Sequence, residues 1–86
     1  MDGFWRACSR YGAVAARPKH RRLLGAAIRA YRKRKRLTQE KLAERAGLHH
    51  NYVGELERGE KAASIDIIVR LAKALGVRVR DLTYDL

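Results

Sequence analysis

Residues 39–58 read QEKLAERAGLHHNYVGELER, and this stretch decides the fold. Its apolar places are Leu42, Ala46, Leu48, Val53 and Leu56, and Ala43 and Gly47 are small. Two short helices joined by a tight turn need this pattern. Where they cross steeply, a small residue such as Ala43 lets the backbones approach. The turn itself needs a residue tolerant of positive φ, here Gly47. Leu42, Ala43, Ala46, Gly47, Leu48, Val53 and Leu56 are therefore expected to pack the pair together and onto its neighbours. The opposite side of the second helix carries His50, Asn51, Gly54, Glu55 and Arg58. A protruding polar helix supported from behind fits the major groove of B-DNA. Any helical hairpin would show the same apolar places, so the flanking sequence has to separate the two readings.

Upstream, Leu24, Ala27, Ile28 and Tyr31 recur at i, i+3, i+4 and i+7, one buried helical face. This helix is expected to start near residues 19–22, with Pro18 close to its first position. It ends in the cationic run 32–36, which suits a helix C-terminus. Thr38 is placed to cap the next helix, with Leu37 and Leu42 as a hydrophobic staple and Glu40 in its first turn. Lys41 stands where a capping box would need Glu or Gln, so the full box is absent. The second helix of the pair should run over about 50–57, with His49 a poor cap and Gly59 the stop. Downstream, Ser64 caps a helix bearing Ile65, Ile68, Leu71, Ala72 and Leu75 and ending at Gly76. A short last helix is expected near residues 79–82. The reading is an all-α domain of five helices over residues 21–86. Residues 1–20, interrupted by Gly3, Gly12 and Pro18, are read as a flexible basic tail.

Eighty-six residues bound the chain to one domain with a small core. The net charge of +11 favours an anionic partner, and its distribution says more than its total. Residues 1–36 hold twelve Lys/Arg and one acid, whereas residues 37–86 hold eight of each. Any specificity in the second part must therefore come from individually placed side chains. Cys8 is alone, which excludes an internal disulfide. His20, His49 and His50 lack partners at metal-ligand spacing, so neither a metal nor a cofactor is expected. No apolar stretch approaches the ~20 residues that span a membrane, and Arg6 and Arg10 interrupt the segment 4–16. No nucleophile–base pair, phosphate loop or carboxylate dyad is recognisable, and no enzymatic activity is expected. Glu55 and Glu57 are two apart on a helix and do not face each other.

Several features keep two readings. The run 32–36 either binds phosphates or is a solvated helix end; within it Arg32 reads as structural, and Lys33 and Arg36 as phosphate candidates. The tail cations Arg6, Arg10, Arg17, Lys19, Arg21 and Arg22 suit a minor-groove arm, a non-specific tether or an inert extension. Phe4 and Trp5 are an unpacked apolar spot or a docking point. Tyr84 and Leu86 are candidates for a dimer interface together with the last helix.

The flanks carry a resemblance. LGAAIRAYRKRKRLTQEKLAERAGL (24–48), YVGELERGEKAAS (52–64) and IVRLAKALGV (68–77) together resemble the Cro/phage-repressor-like (XRE-type) helix-turn-helix family over about residues 22–83. GLHHNYVGELERGEK (47–61) looks most like the controller proteins of restriction–modification systems. The resemblance implies a five-helix, lambda-repressor-like domain that places its third helix in the major groove and binds two half-sites as a homodimer. It implies that Gln39, at a helix N-terminus, binds a phosphate, where free N–H groups and an amide donor meet the anion. Thr38, Tyr52, Arg58 and Lys61, with Lys33 and Arg36, complete the expected phosphate-binding set. His50, Asn51 and Glu55 match base-reading positions, through donation to guanine, a bidentate pair with adenine, and acceptance from cytosine N4 respectively. Arg32 and Glu57 match a family salt bridge tying the first helix to the third.

Three positions depart from the pattern. Arg36 replaces a usual small residue between the first two helices, Ala63 replaces a frequent Pro, and Gly54 lies inside the reading helix. Gly54 suggests either close backbone approach to DNA or drift. The implied function is a cytoplasmic, nucleoid-associated transcriptional regulator or repressor of double-stranded DNA, with RNA polymerase as a candidate protein partner and no membrane role. One alternative is an antitoxin whose main partner is a toxin protein. Another is a basic tail acting on RNA or membranes, with the helical domain as scaffold.

Overall fold

The computed structural model describes residues 18–84 and 86. Five helices follow one another: α1 (Lys19–Arg34), α2 (Gln39–Ala46), α3 (His50–Glu57), α4 (Ile65–Leu75) and α5 (Val79–Thr83), with no strand among the described residues. The expectations for Phe4, Trp5, Arg6, Cys8, Arg10 and Arg17 lie outside these residues. α1 starts at Lys19, the first residue of the expected range 19–22, so Lys19 and His20 belong to the helix although the tail is read as reaching residue 20. Their run of polar letters carries no apolar period to announce a helix, whereas Pro18 directly before them does.

The caps follow the side chains. Thr38 Oγ1 accepts from the Lys41 N–H at 3.0 Å, and Ser64 Oγ from the Ile67 N–H at 3.3 Å. At α5, the Arg78 N–H donates to Asp81 Oδ2 at 3.0 Å. His49 caps α3 after all. Its Nδ1 accepts from the Asn51 N–H at 3.1 Å.

Four turns close in one way, with a left-handed residue whose amide and the next amide bond back into the helix. Leu48 N–H donates to Ala43 O at Gly47, Glu60 N–H to Glu55 O at Gly59, and Val77 N–H to Ala72 O at Gly76. At the fourth turn the left-handed residue is Arg36, with φ 60°, and the Leu37 N–H donates to Arg32 O at 3.0 Å. A side chain in that conformation costs about 1 kcal/mol. The fold retains the turn there without glycine.

The core draws on every helix. Leu24 and Ile28 come from α1, Leu42, Ala43 and Ala46 from α2, Val53 and Leu56 from α3, Ile68, Leu71, Ala72 and Leu75 from α4, and Leu82 from α5. Each fully buried large aliphatic side chain contributes roughly 1.5–3 kcal/mol. Ala27, Tyr31 and Leu48 pack half-buried against this cluster. α3 is packed between α2 and α1, α2 rests on α4, and α5 closes the bundle against α1 and α4. Val53 and Leu56 therefore fix the back of α3 while its front faces outward.

Candidate nucleic-acid interface

The outward face of α3 and the first residue of α2 line one shallow depression, formed by Gln39, His50, Asn51, Gly54, Glu55 and Arg58. His50 and Asn51 are exposed and Glu55 is half-buried. No other part of the described chain covers the first two. His50 lies stacked on His49, ring centroids 4.5 Å apart, which restricts where its ring points.

A hydrogen-bonded cluster holds this face from the side. Arg32 Nε donates to Glu57 Oε2 at 2.6 Å and Nη2 to Oε1 at 3.1 Å, a bidentate pair. Arg32 Nη1 also donates to Leu37 O at 2.8 Å, stapling the turn after α1. The two side chains are 12% and 3% exposed, so the pair is largely desolvated. Gln39 Nε2 donates to Glu57 Oε1 at 3.0 Å. One amide hydrogen of Gln39 is thus directed into the protein, and its second remains to meet an anion.

The other expected phosphate ligands are placed as follows. Thr38, Lys33, Arg36 and Lys61 are exposed. Arg58 Nε and Nη2 donate to the two Glu60 carboxylate oxygens at 2.9 and 3.2 Å. The bond to Glu60 raises the already high pKa of Arg58, so this guanidinium stays charged. Tyr52 is half-buried, and its hydroxyl donates to the Ala62 carbonyl at 3.1 Å. Its proton pins the loop after α3, and only the oxygen's lone pairs face elsewhere.

Within the helix pair, Leu42, Ala43, Ala46, Val53 and Leu56 are buried. Gly47 makes the positive-φ turn expected of it but does not pack between the helices. It is exposed, takes φ +71°, and has open space where a Cβ would stand. It makes the turn and leaves the close packing to Ala43. Gly54 is buried by its own domain. A Cβ there would lie 3.1 Å from Arg58 Nη1 and 3.3 Å from Gln39 Oε1. Its small size makes room for the glutamine that α2 lays against α3.

Gly25 was missed by sequence reasoning. A Cβ on it would lie 2.2 Å from Leu56 O and 2.6 Å from Glu57 O, so α1 rests directly on the C-terminal backbone of α3. The available signal was an isolated glycine inside a helical pattern, where it costs about 1 kcal/mol against Ala.

Among the described residues, no three His, Cys, Asp or Glu side chains gather where they could hold a metal ion. No described helix is long and apolar enough to cross a membrane.

Known proteins share this arrangement. The control protein C.BamHI of Bacillus amyloliquefaciens is 43% identical over 63 residues, covering 72% of this chain and 78% of the relative. The crystal structure of the restriction–modification controller protein C.AhdI from Aeromonas hydrophila superposes with a TM-score of 0.71 at 40% identity, over 72% of this chain and 94% of that one. The biofilm regulator SinR, solved in complex with DNA, superposes with a TM-score of 0.66 at 33% identity, over 69% and 95%. A helix-turn-helix family model matches residues 28–82. With that match over most of the described helices, and the paired helices α2 and α3 at its centre, the chain belongs to the helix-turn-helix family, of the Cro and phage-repressor type that its sequence resembles.

Proposed function

We propose that this protein is a non-enzymatic transcriptional regulator that binds specific sequences of double-stranded DNA as a homodimer, with α3 in the major groove. The observation that carries the reading is the uncovered polar face of α3, braced from behind by Val53 and Leu56 and from the side by Arg32, Glu57 and Gln39. A rigid rod with free side chains near its N-terminal end is what base-edge readout requires. In this reading His50, Asn51 and Glu55 touch bases. Gln39, Thr38, Lys33, Arg36 and Lys61 hold phosphates, with Arg58 and the Tyr52 oxygen at the edge. SinR was solved with DNA, which supports the partner class. Likeness to C.BamHI and C.AhdI supports the narrower role of a restriction–modification controller. In this reading it works in the cytoplasm and affects RNA polymerase through where it sits on DNA. No observation favours the antitoxin alternative.

Selection of preferred duplexes from a random library tests the assignment. Wild type should enrich a two-part site. His50→Ala, Asn51→Ala and Glu55→Ala should each relax preference at one or two base positions, by about 1–3 kcal/mol of discrimination. Lys33→Gln should weaken binding to all sequences alike. Unchanged preference in all three alanine variants would mean that α3 does not read the bases.

A further inference from the structure

We propose that the outer face of α1 is a second phosphate-binding surface, on which Arg22 and Arg29 extend the Lys33 contact along the backbone of the same duplex. The inference rests on the DNA-binding reading above and adds residues that reading does not use.

α1 carries seven Lys/Arg in 16 residues and no Asp or Glu. A solvated helix face usually mixes signs, because opposite charges three or four apart support the helix. α2 and α4 both do so. Of the seven cations, Arg32 alone has an acidic partner within salt-bridge distance among the described residues. α1 also has no acid in its first turn and no side-chain cap. Its first-turn cations therefore sit against the helix dipole, an arrangement the isolated fold does not favour.

The unpaired cations are ordered in space. Arg22, Arg29 and Lys33 are all exposed. At 100° per residue they lie within about 40° of one another around the axis. Exposed Ala26 lies in the same row and leaves it unobstructed. The row spans about 16 Å, against one phosphate per ~3.4 Å of axis on each DNA strand. Its first end is packed on the chain just beyond the reading helix. The Arg22 backbone N and Cα lie 3.2 and 3.1 Å from where a Cβ on Gly59 would stand, directly beyond α3. Lys33 follows Arg32, which grips Glu57 at the end of α3. Leu24 and Ile28 are buried on the opposite side of α1. The row thus runs beside the C-terminal end of α3, where a duplex seated on that helix continues.

The test is the salt dependence of binding by the full chain to a labelled random-sequence duplex of about thirty base pairs. Each phosphate contact contributes about 0.9 to the slope of log K against log salt. Arg22→Gln/Arg29→Gln should flatten that slope by about 1.8, and Arg22→Lys/Arg29→Lys should restore it. Ala26→Glu supplies a variant whose folding is favoured. Its carboxylate can pair with Arg22 and Arg29 along the helix, so its melting temperature should hold or rise while low-salt DNA binding weakens. A wild-type slope in the Gln variant, or unweakened binding by Ala26→Glu, overturns the proposal. So does a flattened slope seen only on single-stranded RNA of the same length, which would assign the surface to RNA. Wild type that binds no duplex at all would instead sink the regulator reading.

Discussion

The two ends of α3 are held by different means. At the C-terminal end, Gly25 of α1 rests on the carbonyls of Leu56 and Glu57, and Glu57 accepts from Arg32 twice and from Gln39 once. At the N-terminal end no ion pair holds the helix: one imidazole nitrogen of His49 accepts from the Asn51 N–H with His50 stacked beside it, the Tyr52 hydroxyl donates to Ala62 O, and Val53 is buried behind. The polar anchor of the helix therefore lies at the end away from His50 and Asn51. The difference teaches which positions are free to vary. Side chains at 50 and 51 are exposed and outside the core, the His50 ring touching only His49, so changing them should alter recognition without unfolding. Those at 25, 32 and 57 carry the anchor.

Breaking the anchor should give the largest effect. Arg32→Ala leaves a carboxylate that is 3% exposed with only the Gln39 amide to satisfy it. Removing one partner of a buried pair costs about 3–5 kcal/mol, a large share of the stability of so small a domain. Thermal or urea unfolding should show this loss. A loss under 1 kcal/mol would mean that water reaches Glu57 and that the pair is only decorative.

Gly25→Ala offers a test of sign. In an ordinary helix interior this change stabilises by about 1 kcal/mol. Here the new methyl meets backbone oxygens that cannot rotate away, so α1 must shift off α3. Overpacking of this kind costs about 1–3 kcal/mol, and the melting temperature should fall. A rise would show that the close approach at the C-terminal end of α3 is not essential.

The anchored end was legible only in part: the Arg32–Glu57 pair could be named through resemblance, and Gly25 could not. The register of Leu42, Ala46, Val53 and Leu56, the stops at Gly47, Gly59 and Gly76, and the caps at Thr38 and Ser64 all act through local rules, and each can be read within a few residues. Even Arg36 in a left-handed turn was visible as a departure from small residues. Gly25 was not, because a glycine has the same letter whether a helix tolerates it or requires it. Its reason lies in Leu56 and Glu57, far along the chain. The packing of Gly54 was illegible for the same cause. Its crowding comes from Gln39 across the helix pair, and only the fold sets that distance. For the candidate site, the sequence could name Gln39, His50, Asn51 and Glu55 through resemblance. It could not show that Gln39 divides its amide between Glu57 and the surface, since that depends on three helices meeting.

The smallest expected effect belongs to the lightly held end. His49 caps α3 through a ring nitrogen at 3.1 Å, and a hydroxyl in its place would be nearer the preferred chemistry. His49→Ser should stabilise by up to about 1 kcal/mol, or a few degrees in melting temperature for a domain of this size. His49→Ala removes the acceptor and should destabilise. Melting curves of the pair isolate the cap, because both variants lose the stack on His50 equally. A difference between Ser and Ala assigns the effect to the hydrogen bond on Asn51. Identical curves would show that the N-terminal turn of α3 draws no support from residue 49, and that backbone packing behind Val53 holds it alone.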